Sequence, residues 1–178
     1  MLEITSSLAL LVMTDVVGFF SSLKLTILKE DVFMNSPEYI TVSEVKRVCK
    51  ELNIRDWTEL TAPKVLKEEA RIILSAVNSE WMKIEADDFA EGLEVELEHG
   101  LRYKDANVTN NHPVLTGKIV IAHLKETLDY YKRLEVMEIE GDIMKAVLAK
   151  DISKVERYYK KLVKAKLALL QSESKECA

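Results

Sequence analysis

Helix-breaking residues are scarce in this chain, with five glycines and three prolines in 178 residues, set among 48% hydrophobic and 31% charged residues. So few breaks favour long helices over many short strands and tight turns. Segment after segment, apolar residues recur at three- and four-residue intervals, the period of a helix with one buried stripe. The expected fold is all-α, a mostly antiparallel bundle of about six or seven helices around a central helical hairpin. A chain of this length buries a core without covalent staples. Cys49 and Cys177 are far apart and form neither a secreted disulfide framework nor a Cys-x-x-Cys site, so a reducing, cytoplasmic setting is the default expectation.

Residues 4–20 are the most apolar stretch, but no basic region precedes them and Asp15 cuts the run short of the roughly 20 residues a membrane span needs. A buried helix or a self-association element is the better reading. Asn35-Ser36-Pro37 marks a connector. Thr41-Val42-Ser43-Glu44 has capping-box spacing and opens a helix over about 42–53. A short turn around Trp57 follows, and then a helix that starts near Pro63 and runs to about Val77, with Leu66, Ala70, Ile73 and Leu74 as its inner stripe. Trp81 reads as a packing anchor.

The acidic helix over about 86–100 carries Phe89, Leu93 and Leu97 on one stripe, and Gly100 suits a C-terminal stop. A long loop over 101–112 holds Asn107, Thr109, Asn110 and Asn111, side chains able to brace a turn or cap the next helix. Pro113 fits the first turn of a helix running to about 137, which carries His123 and Glu126 on the side shared with Leu115 and Ile119. After Gly141 a third region begins. Its break near Asp151 leads to a last helix over about 154–170 and a mobile polar tail over 171–178. The sequence thus divides into an N-terminal helical region over 1–79, the central hairpin over 80–138, and basic C-terminal helices over 139–178.

Charge is unevenly distributed. The net charge is −5, but residues 80–100 hold eight acids and one lysine, whereas 141–171 hold eight Lys or Arg and three acids. Mutual attraction within the fold, or between subunits, is the plain use of such a split. Nucleic-acid binding by the basic helix is a lesser alternative, because no recognition-helix or glycine-rich signature accompanies it.

The sharpest chemical pattern is a pair of three-residue spacings, Glu96 with His99 and His123 with Glu126. Imidazole and carboxylate together suit Zn, Fe or Mn, and residues at i and i+3 share a helix face, so two antiparallel helices could bring all four to one centre. Tyr130 would then stand by as an outer hydrogen-bond donor. The pattern is half of a di-iron bundle site. Against it, His99 lies at the end of its helix and His123 well inside the next, and a His–Glu hydrogen-bond network bracing the hairpin accounts for the same residues.

Residues 81–135 resemble an uncharacterised family of small bacterial and phage-encoded proteins. The resemblance rests on Glu96-Leu97-Glu98-His99-Gly100, on Asn107-Val108-Thr109-Asn110, on Thr116-Gly117-Lys118-Ile119 with Ala122-His123-Leu124, and on Asp129-Tyr130-Tyr131. Here Asn111-His112 stands where the family pattern has acids, and Thr127-Leu128 where it has a proline. The resemblance implies no activity, and it leaves a virus-related role open.

The favoured expectation is a non-enzymatic structural or interaction protein that forms a homo-oligomer or docks on a protein partner. The alternative is a metal-dependent hydrolase or oxidoreductase using Glu96, His99, His123 and Glu126. A nucleic-acid accessory factor ranks third.

Overall fold

The structure, a computed structural model, describes residues 39–177, which form a compact unit. The apolar stretch over 4–20 and the connector at Asn35-Ser36-Pro37 lie outside the described residues. The described chain is a helical bundle with six α-helices: α1 (Val42–Glu51), α2 (Lys67–Val77), α3 (Ala86–Arg102), α4 (Pro113–Glu126), α5 (Tyr130–Leu148) and α6 (Ile152–Glu176). Two short 3-10 turns, Trp57–Glu59 and Lys104–Ala106, lie in the connections. No described helix is long and apolar enough to cross a membrane.

One core unites α1 to α4 and the first turn of α5. Val45 and Cys49 of α1, Trp57, Ala70 and Ile73 of α2, Phe89, Leu93 and Leu97 of α3, and Val120 and Leu124 of α4 are buried together, with Tyr131 closing the cluster. Helix α3 lies antiparallel to α4: Gly92 faces Val120, and Gly100 faces Asn111 just before α4 begins. A Cβ on Gly92 would stand 2.6 Å from the Tyr131 ring and 2.7 Å from Val120, so its missing side chain is what lets three helices meet there.

Polar groups inside this core are wired. Glu69 is buried, and its carboxylate accepts from the Arg55 guanidinium at 2.6 and 2.8 Å and from the amides of Arg55 and Leu66, each at 3.0 Å. Burial opposes its ionisation, but these donors prevail and hold its pKa below the usual carboxylate range. This clasp moves the start of α2. The helix begins at Lys67 rather than near Pro63, with Leu66 as N-cap and Glu69 reaching back to its amide.

Other boundaries shift for equally local reasons. Thr41 caps α1 as expected, its hydroxyl accepting from the Glu44 amide, while the Glu44 side chain turns to Arg47 instead of closing the box. Helix α3 runs through Gly100 to Arg102, so that glycine is no terminator. The helix expected over 113–137 breaks at 127–129, where buried Asp129 is held by the Thr127 hydroxyl and by a fork from Arg133 at 2.7 and 2.8 Å. Gly141 leaves α5 unbroken, and the last helix is capped by Asp151 and continues to Glu176, through the stretch that its polar sequence marks as a mobile tail. Trp81 is no packing anchor. The Asn78 side chain bonds both backbone groups of Met82, and Trp81 sits in left-handed backbone (φ 55°) with 88% of its surface exposed.

Helices α5 and α6 form a second antiparallel hairpin with its own small cluster, Ile139, Leu162 and Ala165, and partly buried Val136, Ile143 and Tyr158 around it. Two ion pairs set its register, Arg133 with Glu173 at 2.8 Å and Glu140 with Lys166 at 2.7 Å.

Candidate functional site

Two of the four proposed metal ligands meet. Glu96 Oε1 and His123 Nε2 are 3.7 Å apart, and the same carboxylate oxygen accepts from the Tyr131 hydroxyl at 3.0 Å. The Tyr130 ring stacks on His123 at 4.2 Å, and the Tyr131 ring meets it edge-on. Burial and the facing Glu96 carboxylate push the Tyr131 phenol well above its ordinary pKa, which keeps it a neutral donor.

His99 and Glu126 do not join them. His99 is exposed and stacks on Tyr103 at 6.5 Å, and Glu126 is exposed at the far end of α4. The reason is directional. In antiparallel helices three residues onward moves about 4.5 Å up one helix and about 4.5 Å down the other, so levelling Glu96 with His123 draws His99 and Glu126 apart by about 9 Å. The inner face of α4 is also the Thr116, Gly117, Val120, Ile121 and Leu124 stripe, which leaves His123 at the margin of the bundle. Among the described residues no group of three or more His, Cys, Asp and Glu side chains is placed to hold a metal ion.

The loop between α3 and α4 is braced by its own side chains. Asn107 donates to the Gly100 carbonyl and to the Asn111 side chain, both at 3.1 Å, and accepts from the Asn111 amide. Asn110 donates to the Ile40 carbonyl, tying the loop to the start of the described chain. A Cβ on Gly100 would fall 2.0 Å from Asn111 Oδ1, so the Glu-Leu-Glu-His-Gly block needs its glycine for close approach. His112, absent from the sequence-level site, is buried and caps α4, its Nδ1 accepting from the Leu115 amide at 3.3 Å. Burial pushes its pKa below the ordinary imidazole value. The turn-bracing role expected of the loop holds. The small cleft beside it, about 110 Å³, is lined by Glu96, His99, Asn107, Thr109 and Thr116.

The within-fold half of the charge expectation is not what the described residues show. Acids of the 80–100 stretch pair with Lys64, Lys67, Lys125 and Lys132, and among the described residues no ion pair links them to the basic 141–171 stretch. Across the α5–α6 hairpin a different surface emerges. On α5, Met137, Met144, Val147 and Leu148 are each more than half exposed. On α6, Ile152, Tyr159, Val163, Leu167 and Leu170 are likewise exposed, at intervals of seven, four, four and three residues. Glu140 lies between Met137 and Met144, Lys166 between Val163 and Leu170, and these two charges bridge each other. The two apolar stripes therefore share one side of the hairpin. Sequence reasoning missed this face. The signal was there, because α6 carries Val155, Tyr158, Leu162, Ala165 and Leu169 beside the exposed stripe, an apolar arc wider than one neighbouring helix covers.

Fold and surface together define an all-helical bundle protein with a helical hairpin that displays an apolar face. Residues 45–140, more than half of the chain, match the family described as "Protein of unknown function (DUF5661)", and the chain belongs to that family. The match reaches further toward the N-terminus than the 81–135 resemblance and takes in the whole clasp around Glu69. It ends at residue 140, so α6 and the outer half of α5 lie beyond it. Neither a curated protein nor a solved structure matches the chain.

Proposed function

We propose that this is a non-enzymatic interaction protein, in which the α1–α4 core is a scaffold and the α5–α6 hairpin presents its apolar side to a protein surface. The observation that carries this reading is the two-stripe apolar face. Monomeric proteins rarely expose contiguous apolar patches beyond a few hundred Å², and larger ones mark interaction sites. The metal-dependent alternative has only the Glu96–His123 pair in its favour, and that pair reads equally well as a brace between α3 and α4.

Photo-crosslinking tests the interface. A photoreactive phenylalanine analogue at Leu167 should give discrete protein adducts in producing cells, and the same analogue at Lys161, on the opposite side of α6, should give few. Equal or absent labelling at both positions refutes the reading.

A further inference from the structure

We propose that the occupant of the hairpin face is a second copy of this chain, the two α5–α6 hairpins closing face to face into an intermolecular four-helix bundle. This rests on the interface reading above and adds the partner's identity.

Three observations lead there. The first is area. The nine exposed side chains present on the order of 1,000 Å² per copy, at or above the ~800 Å² per partner of a standard stable interface. The second is self-complementarity. A two-fold interface places a patch against itself, so any net charge on it meets a like charge. On this face Glu140 is neutralised by Lys166 within each hairpin, which lets two copies meet without repulsion between those groups. The third is geometry. The seven-four-four-three spacing along α6 follows the ordinary helical period, so the stripe keeps to one side of the helix along its whole length, as a face packed against other helices must. The hairpin's internal cluster buries three residues, and a second hairpin would supply the missing half of a bundle core.

Sedimentation of the full chain is the test. The expected mass is twice the 20.3 kDa of one chain. Met144→Glu with Val163→Glu should return it to the single-chain mass with its helical circular dichroism intact. Val12→Glu with Val16→Glu, in the apolar stretch over 4–20, should leave the dimer unchanged. Should the glutamate pair lose helical signal, Met144→Ser with Val163→Ser replaces it, with association weakened by roughly 100-fold or more.

A wild-type chain that stays monomeric at about 100 μM overturns the proposal. So does a dimer that survives the face variants, or one that dissociates with the 4–20 variant alone. If the chain is monomeric while Leu167 still crosslinks to another protein, the second copy falls and the interface stands. If Leu167 gives no adduct either, both fall.

Discussion

The α1–α4 core and the α5–α6 hairpin are built from similar helices yet finish their surfaces differently. In the core, Trp57, Phe89, Ile73, Leu93 and Leu97 are almost fully buried, and the buried carboxylates Glu69 and Asp129 each have a guanidinium fork. The single orphan among described buried side-chain polar atoms is the Trp57 indole nitrogen. In the hairpin a cluster of only three buried residues, Ile139, Leu162 and Ala165, joins the two helices, and nine large apolar ones face outward. The core is complete among the described residues, whereas the apolar residues on this side of the hairpin have no cover among them. The family match follows the same line, covering the core and stopping where the displayed face takes over.

Substitutions can break that contrast, the largest effects first. Phe89→Ala removes a fully buried ring where α3 packs into the core and should cost about 3–5 kcal/mol in urea unfolding. A loss under 1 kcal/mol would show that the core is not the cohesive unit. Glu69→Ala leaves the Arg55 guanidinium and the Leu66 amide without their acceptor and should cost about 3 kcal/mol, read from the same transition. Gly100→Ala drives a methyl against Asn111 and should cost about 1–3 kcal/mol, with faster amide exchange in the 103–112 loop as the local signature. Leu148→Ser, at the hairpin tip, should change stability of the dilute monomer by no more than about 0.5 kcal/mol. A large effect there would mean that the face is already covered within the chain.

Acidity sharpens the comparison, because the described groups with lowered pKa values and deep burial lie in or beside the core. His112 is buried neutral with its pKa lowered, so its contribution is fully present above the unfolded value near 6.5 and is lost as pH falls toward its folded value. His112→Gln should flatten that part of the stability–pH curve. Asp129 and Glu69 also have lowered values, the effect of burial being outweighed by their arginine and hydrogen-bond partners, and their contribution is present above about pH 4 and lost below it. Metal content gives a separate check. Protein purified without chelator should carry far less than one zinc, iron or manganese per chain; near-stoichiometric metal that disappears in a folded His123→Ala variant would move the metal reading ahead of the brace.

Much of the candidate site was legible and its central geometry was not. The roles of Asn107 and Asn111 follow from short side chains that bond nearby backbone, and Pro113 opens α4 as its lost amide allows. The gathering of Glu96, His99, His123 and Glu126 rests on i, i+3 spacing alone. Spacing says which residues share a helix face, but it does not give the vertical offset between two helices or which face of α4 turns inward. Trp81 failed for a related reason. Its apolar bulk argued for burial, whereas the Asn78 clasp on Met82 sets a turn that points it out.

The sequence by itself determined that the described chain is helical, with Thr41 capping α1 and the last break near Asp151, because capping chemistry and apolar period are local properties. Only the tertiary structure decided where α2 begins, since its start is set by the buried Glu69 carboxylate, drawn into place by an arginine 14 residues away, and that Asp129, with its local partners Thr127 and Arg133, is buried at the break before α5. It also decided which apolar stripes are left over. Periodicity marks every apolar stripe alike, and burial depends on how many neighbours the fold brings to each helix, many for α3 and α4, and for α6 chiefly α5.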